Sequence, residues 1–271
     1  MADRPVALVI VGHGSAKAPD SSRPTREHAE TLRRLGRFAE VHVAFWKEEP
    51  FLKDILARVV SPEVRIVPNL ACKGYITSEV IPREMGLAGP VTERDGKRIV
   101  LCDPVGTHPR LAEAVAACLR ALAEGEGLAA SELCLILVGH GSGRNPESAI
   151  QTRAVAERLA ATGLAAEVRS AFLEQEPHIR DWARLTAAPA VAVMPFMISN
   201  GLHGAEDIPA FLGLDPGSPE LRRLAAAGTP AGPYRLPGRR LWYLRAIGHD
   251  PAVTEIIAEL AGAKLPGTNV I

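Results

Sequence analysis

Short apolar runs alternate with amphipathic stretches along almost the whole chain. In the first half the runs lie near 6–12, 39–45, 63–69 and 98–103, and helical patterns near 22–36, 50–60, 78–86 and 109–123. In the second half the runs lie near 133–139, 166–172, 189–196 and 241–246, and helical patterns near 147–162, 177–185, 205–213 and 251–262. Apolar runs of this length, bounded by turn residues and separated by helices, predict parallel strands joined by crossover helices. The stretch 22–36 is representative. It carries Ala29, Leu32 and Leu35 at helical spacing and stops at Gly36.

The two halves are copies. Residues 8–82 lie over 135–209 at a constant shift of 127, without a gap. Val11-Gly12-His13-Gly14-Ser15 then meets Val138-Gly139-His140-Gly141-Ser142, Glu49-Pro50 meets Glu176-Pro177, and Ile81-Pro82 meets Ile208-Pro209. The period is far longer than the roughly 20–50 residues of a solenoid unit, so it marks a duplicated domain. The expected fold is α/β, with two similar flavodoxin-like lobes, each a parallel four-stranded sheet with its first strand between the second and third. The Glu124-Gly125-Glu126-Gly127 stretch divides them into lobes 1–125 and 126–271. Beyond Pro209 the shift grows to 142, because Leu214–Arg240, rich in Pro, Gly and Arg, is inserted; it reads as a surface excursion. Two lobes with matched crevices imply a ligand cleft between them.

Composition narrows the function classes. Lys plus Arg and Asp plus Glu both number 31, so the basic excess of a nucleic-acid-binding domain is missing. The four cysteines, Cys72, Cys102, Cys118 and Cys134, form no C-x-x-C pair, and Cys134 sits in an apolar run as a buried free thiol would. The apolar stretch at the N-terminus is a first strand, too short to span a membrane. A soluble, cytoplasmic protein with neither nucleic acid nor membrane as partner is expected.

Candidate chemistry gathers in the second copy. His140, Glu174 and His203 each fall at or just past the end of an apolar run, where open α/β sheets hold their ligands. Two imidazoles and a carboxylate suit a divalent metal. In the first copy His13 matches His140, but Lys47 stands for Glu174 and Ile76 for His203, and neither ligates. A metal site therefore belongs to the second copy. Blander roles stand beside these. The His140–Ser142 turn could simply start a helix, with Ser142 or Asn145 as cap and Pro146 in the first turn. His203 could be a surface residue. Glu176 competes with Glu174, although Glu49 matches it in the ligand-poor copy. Asp207, four residues after His203, could orient that ring or cap a helix. His108 and His249, in turns after the fourth strands, also face the crevice side.

Several motifs are excluded. Ser142 lacks the first Gly of a serine-hydrolase elbow, no phosphate-binding loop occurs, and Gly139–Arg144 lacks the last Gly of a dinucleotide fingerprint. Glycine precedes His-Gly in both copies, where a phosphohistidine phosphatase would place arginine.

The duplicated His-Gly-Ser turn, the Phe172-x-Glu174-x-x-Pro177 segment and the Gly201-x-His203-x-x-x-Asp207-Ile208-Pro209 segment resemble the class II tetrapyrrole chelatases. The resemblance is to the sirohydrochlorin cobaltochelatase and ferrochelatase group and covers nearly the whole chain. It implies two α/β lobes around a tetrapyrrole cleft, no organic cofactor, and insertion of Co²⁺, or of Fe²⁺, into sirohydrochlorin for cobalamin or sirohaem synthesis. His140, Glu174 and His203 match that family's metal and catalytic residues. Gly141, Ser142, Arg144 and Gly201, with Arg153, are candidates to bind the carboxylate-rich substrate, and Asp207 to support His203. Since one chain supplies both lobes, a monomer suffices. The alternatives are a non-enzymatic bilobal protein that holds metal or tetrapyrrole, and a ferrochelatase acting on another porphyrin.

Overall fold

A computed structural model describes residues 5–16, 18–143 and 146–262. The chain forms two compact units: one runs to His108 and resumes at Asp250, and the other is Pro109–His249.

The first unit begins with β1 (Val6–Gly12), α1 (Arg23–Leu35), β2 (Glu40–Phe45), α2 (Leu52–Ile55) and β3 (Glu63–Pro68). A π-helical turn, Ile76–Val80, leads into α3 (Ile81–Met85), followed by β4 (Val91–Arg94) and β5 (Lys97–Leu101). The sheet order is β2-β1-β3-β5-β4. Strands β2, β1, β3 and β5 are parallel, as the alternation of runs predicts, and β1 lies between β2 and β3. Every residue from Ala7 to Val11 is fully buried, which is why β1 is apolar on both faces.

The second unit repeats this plan: α4 (Arg110–Glu126), β6 (Leu133–Gly139), α5 (Glu147–Ala160), β7 (Glu167–Phe172), α6 (Trp182–Leu185) and β8 (Ala190–Pro195). A second π-helical turn, His203–Asp207, precedes α7 (Ile208–Phe211), α8 (Pro219–Ala227), β9 (Ala231–Leu236) and β10 (Arg239–Tyr243). Its sheet order is β7-β6-β8-β10-β9.

Each sheet thus has five strands rather than the expected four, the fifth being antiparallel. Local turn chemistry is the reason. Arg94 pairs with Lys97 across Asp95-Gly96, both at positive φ (53° and 74°), the two-residue hairpin that Asp-Gly favours. Leu236 pairs with Arg239 across Pro237-Gly238 in the same place in the second sheet. The insertion Leu214–Arg240 is accordingly no mere excursion. It supplies α8 and the edge strand β9, and buries Leu214, Leu221, Leu224 and Ala231 in the core of the second unit.

The compact units also differ from a division into 1–125 and 126–271. The expected boundary lies inside α4, which continues through Gly125 to Glu126 and ends at Gly127 in a left-handed cap. α4 packs on α5, in the second unit. The closing helix α9 (Ala252–Leu260) packs on α1, in the first. The buried face of α1 carries His28, and its Nδ1 lies 2.8 Å from Thr254 Oγ1 on α9. α4 and α9 occupy equivalent places in the two copies, so the exchange is reciprocal and leaves no trace in the repeat.

Among the described residues, no helix is long and apolar enough to cross a membrane. Burial pushes the Cys134 and Cys102 thiols up to about 11.

Candidate metal centre

The second unit builds its site at the carboxyl ends of β6, β7 and β8. After β6 the chain must turn sharply while touching its neighbours. A Cβ on Gly139 would lie 2.4 Å from Thr152 Oγ1, and one on Gly141, at φ 71°, would lie 2.8 Å from the Gln175 side chain. His140 is thereby held at the strand end. Its backbone carbonyl accepts hydrogen bonds from Leu173 and Glu174 N–H, both at 3.1 Å, which pins the turn after β7 beside it.

Three of the sequence-derived candidates come together. His140 Nε2 lies 3.7 Å from Glu174 Oε1. The His140 and His203 rings meet edge to face, with centroids 5.0 Å apart. The side chains are 42%, 55% and 47% exposed for His140, Glu174 and His203, so solvent and ligands reach all three. They are neighbours without being a closed cage: among the described residues, no group of three or more His, Cys, Asp or Glu is drawn tightly enough to hold a metal ion as it stands.

The hydrogen bonds of the two rings settle their tautomers. A carbonyl oxygen can only accept, so His140 Nδ1, 2.8 Å from the Gly141 carbonyl, carries the proton there. His203 Nδ1 donates to Asp207 Oδ2 at 2.6 Å. In the neutral rings both Nε2 lone pairs are then free to bind a metal or accept a proton.

The turn carrying His203 is supported from below. Tyr243, 1% exposed, donates its hydroxyl to the Gly204 carbonyl at 2.7 Å, and burial pushes its ionisation well up, keeping it a donor. Asn200 Oδ1 accepts from Ala246 N–H at 3.1 Å.

The expected substrate contacts fall as follows. Ser142 does not cap α5, whose N-cap residue is Pro146 with no side-chain cap; its N–H donates to Gln175 Oε1 at 3.0 Å. Gly201 sits at φ 48°, two residues before His203. Arg153 stacks on Phe172 at 4.9 Å. Arg144 and Asn145 lie outside the described residues. His108 faces Glu259 of α9 at 3.5 Å, in the first unit. Gln175 and Tyr243 escape the sequence reading. The repeat carries a signal for Gln175, since its counterpart Glu48 accepts from Ser15 N–H at 3.0 Å in the same way.

The first unit keeps the frame and lacks the candidate ligands. His13 Nδ1 bonds the Gly14 carbonyl at 2.6 Å, as in His140. Its ring, however, meets Trp46 edge-on at 5.4 Å, and the Lys47 ammonium lies 3.6 Å above that indole. Ile76 stands on the π-helical turn where the second unit has His203.

Comparison with known proteins agrees with this duplication. The family model described as CbiX matches twice, over residues 7–122 and 134–263. A Halobacterium salinarum protein named probable sirohydrochlorin cobaltochelatase is 35% identical over 272 residues, 94% of this chain and 90% of that protein. A Deinococcus radiodurans crystal structure, described as a multi-domain protein with structural similarity to chelatases and two additional novel domains, superposes with a TM-score of 0.76 at 27% identity. The match covers 98% of this chain and 56% of that one, so this chain spans about half its length. The structure of CbiX, described as the terminal enzyme for sirohaem biosynthesis in denitrifying bacteria, gives a TM-score of 0.69 at 26% identity, covering 97% of this chain and all of that one. With the family model matching both halves and a relative of this identity along nearly its full length, the chain belongs to the CbiX family.

Proposed function

We propose that this protein inserts a divalent metal into sirohydrochlorin, with Co²⁺ favoured over Fe²⁺, and that His140, Glu174 and His203 carry the reaction. The observation that supports this most is the pair of rings 5.0 Å apart, each with Nδ1 tied to an oxygen and Nε2 left open, beside one carboxylate. Neutral imidazoles suit a borderline ion such as Co²⁺. The relative named as a cobaltochelatase is what favours cobalt.

The chemistry exchanges two pyrrole N–H protons for one metal ion. The ion sheds waters as Nε2 of His140 and His203 and the Glu174 carboxylate take their place, and Glu174 offsets part of its charge. A sparse, open ligand set holds the ion loosely enough to release it to four ring nitrogens. As the metal leaves, the freed Nε2 atoms accept the pyrrole protons. Glu174, 3.7 Å from His140 Nε2, passes them to solvent. Asp207 keeps the His203 ring aimed, with Nε2 toward the ion. Metal and macrocycle are both substrates, and no organic cofactor enters. Cysteines that form no disulfide suit a reducing cytoplasm.

The test is to mix purified protein with sirohydrochlorin and Co²⁺ or Fe²⁺ and follow the macrocycle absorption. Faster insertion than in protein-free buffer, abolished in His203→Ala, is expected. Binding without acceleration would make the protein a carrier and overturn the enzymatic reading.

A further inference from the structure

We infer that Tyr243 is a positioning residue for His203, acting through the Gly204 carbonyl; this rests on the metal-insertion reading above. The π-helical turn His203–Asp207 is bonded i to i+5, with Ile208 N–H donating to the His203 carbonyl. The next carbonyl along, that of Gly204, would look to residue 209 for its donor. Residue 209 is proline and has no N–H. Left so, a buried carbonyl beside the candidate ligand would lack its helical partner. The Tyr243 hydroxyl fills that place at 2.7 Å, reaching up from the end of β10. The buried end of β10 thereby fixes the residue that follows His203, and with it the direction of the imidazole.

The duplication supplies the control. In the first unit Ile66 pairs with Leu101, and in the second Val193, the counterpart of Ile66, pairs with Tyr243. Leu101 and Tyr243 are therefore equivalent, and leucine has no hydroxyl. The first unit keeps the π-helical turn and the proline, Pro82, but has Ile76 in place of histidine. Its Thr77, in place of Gly204, turns its own hydroxyl to the Gly74 carbonyl at 2.7 Å. The phenolic clamp accompanies the histidine and is missing where the histidine is missing. Shape-filling alone would not call for a hydroxyl here.

The experiment uses the full chain carrying Tyr243→Phe, which keeps the ring and removes the donor. Turnover per folded molecule is expected to fall about 10- to 100-fold, as for loss of a group that supports a metal ligand, with KM for the macrocycle within about twofold of the parent. The visible absorption of Co²⁺ bound to the protein alone should shift. Adding Pro209→Ala, which returns an N–H at that position, should restore part of the turnover. Should Tyr243→Phe fail to fold, Tyr243→Leu, copying the first unit, takes its place. Parental turnover and an unchanged Co²⁺ spectrum in the folded variant would overturn the inference. His203→Ala run in parallel separates the two readings. If it is fully active, the site itself is wrong. If it is inactive while Tyr243→Phe behaves as the parent, only the positioning role fails.

Discussion

The His203 imidazole and the Asp207 carboxylate are joined at 2.6 Å across a single turn, and both are about half exposed. A carboxylate so placed fixes the tautomer and the orientation of the ring. Asp207→Asn should therefore lower metal insertion by about 10- to 100-fold with little effect on folding. Its first-unit counterpart, Val80, lies fully buried, so Val80→Ala should cost stability and leave insertion per folded molecule intact. Steady-state rates and thermal midpoints of both variants check this.

Lys47 offers the second prediction. It is exposed and stands over Trp46 in the unit that lacks the candidate ligands. If this cation meets a substrate carboxylate, Lys47→Glu should raise KM for the macrocycle by roughly two- to fivefold, the effect of an exposed pair worth ~0.5–1 kcal/mol. kcat should hardly move. An unchanged KM would make Lys47 a surface residue only.

Acid should weaken the first unit through Glu40. Burial acts to raise this carboxyl, but hydrogen bonds from the Ser61 hydroxyl, His42 and the Val60 and Ser61 backbone outweigh it and hold it at about 2. The folded value lies below the unfolded one, so the stabilisation is full above pH ~4.5 and is lost as pH falls toward 2. Subtracting the stability-versus-pH curve of Glu40→Gln from that of the parent should reveal this loss. A difference that stays flat across the window would refute it.

Removal of everything after His249 should damage the first unit. α9 buries Val253, Ile256 and Ile257 completely, each worth about 1.5–3 kcal/mol. Hydrogen exchange in the shortened chain should speed up in α1, while α5 keeps its protection. Loss of protection in α5 instead would assign α9 to the other sheet.

The parallel strands were legible because their residues are apolar on both faces, as Ala7–Val11 and Leu133–Val138 are. The candidate ligands were legible because the repeat sets Glu174 against Lys47 and His203 against Ile76. What escaped was of two physical kinds. The antiparallel edge strands are half exposed and so lack the apolar run of the others, and their mark is the Asp95-Gly96 turn and its Pro237-Gly238 equivalent. The Tyr243 clamp and the His28–Thr254 bond join residues far apart in sequence. Periodicity reports which way a side chain faces and not what it meets, so no local pattern could supply them.

The exchange of α4 and α9 bears on how the chain is made. Strands β1 to β5 leave the ribosome first, yet their sheet waits for a helix encoded at 252–260. The second unit, by contrast, is complete once His249 has emerged. The half that is synthesised first is thus expected to complete its packing last, and until then the α1 surface around His28 lacks the helix that it packs against.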